Sequence, residues 1–210
     1  MPGTTYRLYG RQGAGSMAAQ MLLEEIGAAY ELVWVAKVPA EIEAFRRVSP
    51  AGKIPVLVLP DGTVVSESAA ILIHLTDAHP GAGLAPAAGS SAHARFLQWM
   101  VFLSANMYEA ALRFYYAGRY SAAGEAAAAQ IKQQALTDWT SHLKTVQAAL
   151  SPYVLGAERS AADLYLHMIT SWYPFDDPAL AADFAKLRHH AELLRRRPAT
   201  RKAEKDHSES

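Results

Sequence analysis

Pro55 stands just before the apolar run Val56 to Leu59. Proline has no N–H to give to a sheet ladder, so it marks the start of a strand. X-Pro bonds accept the cis form far more readily than other peptide bonds. A cis Pro55 would turn the chain so that the N–H and C=O of Ile54 point outward, where an extended peptide-like ligand could pair with both. Further on, Ser66-Glu67-Ser68 opens a helix. The free N–H groups and partial positive charge of a helix start suit a carboxylate. A backbone clamp next to a carboxylate clamp fits a small acidic peptide. An ordinary hairpin leading into a serine-capped helix accounts for the same residues.

A third chemical feature lies near the start of the chain. Tyr6 to Tyr9 reads as a strand, and Gly10 to Gly15 is a glycine-rich loop. Ser16 follows, ahead of Ala18, Met21, Leu22 and Ile26 on one helical face, with Gly27 as the stop. Ser16 is a hydroxyl donor at a helix start, or simply that helix's N-cap. Tyr9 is a phenol donor at a strand end, or an aromatic packed on the sheet.

These residues need elements to hold them. Tyr30 to Val35 predicts a second strand and Pro39 to Val48 a short helix. Val56 to Leu59 and Thr63 to Val65 form two more strands around the Asp61-Gly62 turn. A helix from Glu67 to Asp77 follows, with Ile71, Leu72 and Leu75 inward. The order strand, helix, strand, helix, strand, strand, helix is the thioredoxin-like pattern.

Ala78 to Gly89 is rich in Pro, Gly and Ala and reads as a linker. Helical periodicity dominates beyond it. Phe96, Met100, Leu103, Met107, Ala110 and Phe114 form one sustained face. A second long helix spans Glu125 to about Leu150. Ser160-Ala-Ala-Asp163 has the spacing of a capping box before the apolar helix Leu164 to Trp172. Arg159 takes the place where a hydrophobic staple would help. Helix resumes from Ala179 to about Lys202. The predicted fold is α/β followed by all-α: a thioredoxin-like domain over 1–79, a linker over 80–89, a helical bundle over 90–203 and a polar, disordered tail over 204–210.

Composition narrows the chemistry. The 210 residues carry 20 basic and 20 acidic side chains, so no overall field favours nucleic acid or an anionic membrane. No cysteine is present, which removes disulfides, thiolate metal sites and a cysteine nucleophile. No run approaches the roughly 20 apolar residues of a membrane span, and the start lacks a signal-peptide pattern. A cytoplasmic protein is the expectation. The glycine loop lacks the Lys-Ser/Thr of a phosphate-binding loop and the spacing of a dinucleotide fingerprint. The eight histidines form no metal pattern.

Gly52-Lys53-Ile54-Pro55-Val56, with Ser66-Glu67-Ser68-Ala69-Ala70-Ile71 after the hairpin, resembles the glutathione S-transferase family. The two-domain layout and the Ser160/Asp163 capping box extend the resemblance over nearly the whole chain. The resemblance implies a cis Pro55, with Ile54 pairing to the cysteinyl backbone of glutathione. Glu67 and Ser68 would hold the γ-glutamyl end, and Lys53 would meet the glycine carboxylate or stay solvated.

Such chemistry needs a thiolate. A free thiol titrates near ~8.5, so the site must favour the ionised form. Ser16 or Tyr9 is the implied sulfur donor. Bacterial members often read Ala-Cys-Ser where this chain reads Ala14-Gly15-Ser16, so the serine option remains and the cysteine one does not. The second substrate would meet Tyr108, Arg113 and Trp172, with Tyr115 and Tyr173 nearby. The implied protein is a homodimeric detoxifying transferase that takes glutathione as co-substrate, without a metal, and conjugates it to small hydrophobic electrophiles. Glutathione-dependent isomerisation or peroxide reduction, and a non-catalytic interaction module, are the alternatives.

Overall fold

A computed structural model describes residues 5–178 and 183–208. The chain forms two compact units, one of residues 1–85 with 194–210 and the other of residues 86–193.

The first unit is built on a four-stranded sheet of order β2-β1-β3-β4. β1 (Tyr6–Gly10) runs parallel to β2 (Tyr30–Trp34) and antiparallel to β3 (Val56–Val58), and β3 pairs antiparallel with β4 (Val64–Ser66). The parallel pair requires a crossover. α1 (Ser16–Glu25) supplies it and buries Met17 to Leu23 without a break. It ends at Gly27, which holds φ +65°, a value that favours glycine. α2 (Pro39–Phe45) starts on a proline whose fixed φ suits a first helical turn. It is shorter than the predicted 39–48.

The hairpin turn closes as its residues dictate. The Thr63 N–H donates to Asp61 Oδ1 at 2.8 Å, and Gly62 takes φ +90°. α3 (Ser68–Ala78) then buries Ile71, Leu72 and Leu75. The predicted linker contains one short 3-10 turn, Pro80–Ala82.

A last helix, α9 (Pro198–Ser208), also belongs to this unit. Residues 204–208 are therefore helical, not the disordered tail expected. The Gln20 side-chain N–H₂ donates to Tyr30 Oη at 3.1 Å and to Asp206 Oδ2 at 2.6 Å. Lys202 donates to Glu24 and to Tyr30 Oη, and Arg197 forks onto Glu25 at 3.0 and 2.9 Å. Ala199, Thr200, Ala203 and His207 make the buried stripe. It is narrow and half polar, so the sequence reads as solvated.

The second unit is helical. α4 (Ser91–Phe102) is capped by Ser90 Oγ, which accepts from the His93 N–H at 3.0 Å. It passes through a π-helical stretch, Leu103–Tyr108, into α5 (Glu109–Tyr115). The predicted apolar face is present: Phe96, Met100, Leu103, Met107 and Ala110 are fully buried. The widened turn is invisible to 3.6-residue periodicity. α6 (Glu125–Ala149) packs Trp139, Leu143 and Val146 inward. Every residue of α7 (Ala161–Thr170) is buried.

Asp163 holds the start of α7. Its Oδ2 accepts from the Ser160 N–H and Oγ–H at 2.8 and 3.0 Å, completing the capping box. Its Oδ1 accepts from the Val154 N–H at 2.8 Å and faces His190 Nε2 at 3.0 Å. His190 lies on α8 (Ala185–Arg195). The predicted start of that last helical stretch, residues 179–182, lies outside the described residues.

Candidate functional site

Ile54–Pro55 is a cis bond, and Pro55 is buried at the mouth of β3. The Ile54 N–H and C=O meet no partner among the described residues. Backbone groups left open in this way can pair with another backbone.

The register of the hairpin brings the start of the next helix alongside. Val56 pairs with Ser66, so Ile54 lies two residues before that rung and Ser68 two residues beyond it. Ser68 is the first residue of α3 and is 6% exposed. Its hydroxyl has no protein partner among the described residues. Ser66 ends β4 and is not the helix cap. Glu67 holds that position at φ +69° and makes no side-chain capping bond. A non-glycine residue in this region costs about 1–3 kcal/mol, and such residues cluster where ligands are clamped. Glu67 is exposed, and so is Lys53.

The sulfur-donor candidates part company. Ser16 is the first residue of α1, and Gly15 is the N-cap, so Ser16 is not the cap either. Its hydroxyl is 0% exposed. It accepts from the Arg11 N–H at 3.2 Å and donates to the Arg11 C=O at 3.3 Å. A serine has one proton to give, and this one goes to the loop. Gly10 makes room for it: a Cβ there would sit 2.5 Å from Ser16 Oγ and 3.4 Å from the Trp34 ring.

Tyr9 turns to the face covered by α2. Its ring lies 5.4 Å from Phe45 and packs on the cluster of Val35, Phe45 and Val56. Arg7, beside it on the same strand, is raised above the usual arginine range by Glu31 and by the Tyr9 phenol.

Among the second-substrate candidates, Tyr108 and Trp172 come together, edge to face at 5.3 Å. Tyr108 closes the π-helical stretch, a feature that often marks functional sites. The Tyr115 hydroxyl donates to the Trp172 C=O. Arg113 is held by Asp138 of α6 at 3.1 Å. Hydrogen bonds from Gln134 and Arg113 depress the Asp138 carboxyl below its usual range. Tyr173 is core, packed on Trp139 and bonded to Thr140 at 2.7 Å. Among the described residues no group of three or more His, Asp or Glu side chains could hold a metal ion.

Sequence reasoning passed over Arg11 and the His207–Trp34 contact. Arg11 was legible as a cation inside a glycine loop between a strand and a helix. His207 sits in a stretch with no apolar signal.

Comparison with known proteins agrees with this geometry. Residues 16–78 match the model of the glutathione S-transferase N-terminal domain. The glutathione S-transferase GstA of Escherichia coli O157:H7 is 25% identical over 171 residues, covering 79% of this chain and 81% of that protein. A sphingomonad glutathione S-transferase, solved in complex with glutathione, is 30% identical with a TM-score of 0.84, over 97% of this chain and 100% of that one. A glutathione transferase homologue from Sulfitobacter, solved with bound glutathione, reaches a TM-score of 0.87 at 25% identity, over 97% and 99% of the two chains. Matched over 97% of its length by a relative that is 30% identical, the chain belongs to the glutathione S-transferase family of enzymes.

Proposed function

We propose that this enzyme binds glutathione along Ile54 and conjugates it to small hydrophobic electrophiles. The observation that carries the reading is the pair of open Ile54 backbone groups beside cis-Pro55, with Ile54 and the Ser68 hydroxyl each two residues past the Val56–Ser66 pair and the hydroxyl without a partner among the described residues. The cysteinyl backbone pairs with Ile54, as a strand would. Ser68 and the N–H groups at the start of α3 receive the γ-glutamyl carboxylate, and the Glu67 carboxylate receives its ammonium. Lys53, exposed beside Ile54, meets the glycine carboxylate.

The bound thiol gives its proton to solvent. The thiolate attacks an electrophilic carbon; the new S–C bond forms as the leaving group departs with its electron pair, or as a conjugated π bond accepts the pair. The partial positive charge at the start of α1 favours the ionised sulfur. Tyr108 and Trp172 present an aromatic wall suited to an apolar substrate. Family membership supports a homodimeric, cytoplasmic role in detoxification as part of the same proposal.

Calorimetric titration with glutathione tests the reading. Saturable binding is expected in the wild type. In the variant carrying Glu67→Ala and Ser68→Ala it falls at least about tenfold, since charge-assisted bonds are each worth about 1.5–3 kcal/mol. No heat at millimolar glutathione in the wild type refutes the proposal.

A further inference from the structure

The Ser16 hydroxyl bonds to both backbone groups of Arg11, and Tyr9 faces α2. The loop itself supplies a further candidate partner for the thiolate of the proposed glutathione site. Arg11 follows β1 directly and begins the loop that leads to the first turn of α1. Its backbone is gripped on both sides by one hydroxyl, that of Ser16. Its side chain is anchored too, since Nε donates to the Val35 C=O at 2.9 Å.

Two terminal nitrogens remain. They meet neither a carbonyl nor a carboxylate among the described residues. Arg7, Arg46, Arg113, Arg195 and Arg197 each face a carboxylate. Arg11 is half-buried without one. A partly desolvated cation, fixed at its stem and open at its fork, is poised for an anion that arrives from outside. Glutathione brings two carboxylates and one thiolate. The carboxylates are met by Ser68 with the start of α3 and by Lys53. The thiolate is the one anion that reading leaves without a cation.

We propose that the Arg11 guanidinium is the cationic partner of the glutathione thiolate, and that Ser16 is a positioning residue that fixes the Arg11 backbone. This rests on the glutathione reading above. It reverses the expected roles: the serine shapes the loop and the arginine touches sulfur.

The test compares wild type, Arg11→Gln and Ser16→Ala by two measurements. The ionisation of bound glutathione is followed by thiolate absorbance against pH. Binding of S-methylglutathione, which keeps both carboxylates and cannot form a thiolate, is followed by calorimetry. Arg11→Gln is expected to raise the bound-thiol pKa by about one unit or more. S-methylglutathione should bind within about twofold of wild type, showing the fold and the carboxylate contacts intact. Ser16→Ala should shift the thiol in the same direction and by no more than Arg11→Gln.

An unchanged thiol pKa in Arg11→Gln overturns the proposal. So does a loss of S-methylglutathione affinity as large as the loss for glutathione, which would assign Arg11 to a carboxylate. A larger shift in Ser16→Ala than in Arg11→Gln returns the sulfur to the serine. A wild type that binds neither ligand instead sinks the glutathione reading itself.

Discussion

His207 makes the stability of the first unit depend on pH in a direction that can be worked out. Its ring is 5% exposed and stands edge-on to Trp34 at 5.1 Å. Neither ring nitrogen finds a hydrogen-bond partner. Burial pushes the imidazole down to about 4, with the neighbouring Asp206 carboxylate pulling weakly the other way. Lys202, one turn earlier on α9, bonds to Glu24 and to Tyr30 Oη and also lies 3.8 Å from Asp206.

The folded pKa lies below the ordinary 6.5, so the unfolded chain binds the extra proton between those values. The stability is fully present above about 6.5, is lost progressively as the pH falls, and stops falling near about 4. The full interval is worth about 3 kcal/mol and the part above pH 5 about 2 kcal/mol. His207→Phe keeps an aromatic ring against Trp34 and removes the titration. Urea unfolding should find the variant at least as stable as wild type at pH 7.5, because a buried polar group without partners is gone. At pH 5 it should be more stable than wild type by an additional ~2 kcal/mol. Carboxylates elsewhere titrate in both proteins and cancel in the difference. Parallel stability curves from pH 7.5 to 5 would refute the reasoning.

Two further substitutions test the packing around the site and the second unit. Gly10→Ala places a methyl 2.5 Å from Ser16 Oγ and 2.7 Å from Ser16 Cβ, so it should lower stability by about 1–3 kcal/mol, read by urea unfolding; a neutral result would show that the loop yields freely. Asp163→Ala strips the buried Val154 N–H and the Ser160 N–H and hydroxyl of their acceptor and takes away the partner of His190 Nε2, so thermal unfolding should reveal a loss of about 3–5 kcal/mol; a loss under about 1 kcal/mol would show that solvent replaces the carboxylate.

The sequence carried the local rules well. Asp61-Gly62 names its own turn, because only certain residues accept that backbone. Ser160 and Asp163 stand at capping spacing, and the cap forms. Ile54-Pro55 and Ser66 to Ser68 were legible as candidate clamps because what they offer is backbone groups within a few residues. Helix and strand order followed from periodicity, which is also local. Each of these features depends on neighbours along the chain, so composition and spacing suffice to read them.

Long-range partners were another matter. The polar end of the chain reads as a tail because its partners, Gln20, Glu24, Glu25 and Tyr30, lie far away in sequence. Ser16 reads as a donor to a ligand or as a cap. Only the folded loop shows that its hydroxyl bonds to both backbone groups of Arg11. Arg113 reads as a pocket cation, and only the fold shows its ion pair with Asp138. A side chain's type states what it can donate or accept. Which atom receives the bond is decided by the three-dimensional neighbours that reach it first and exclude water from the rest.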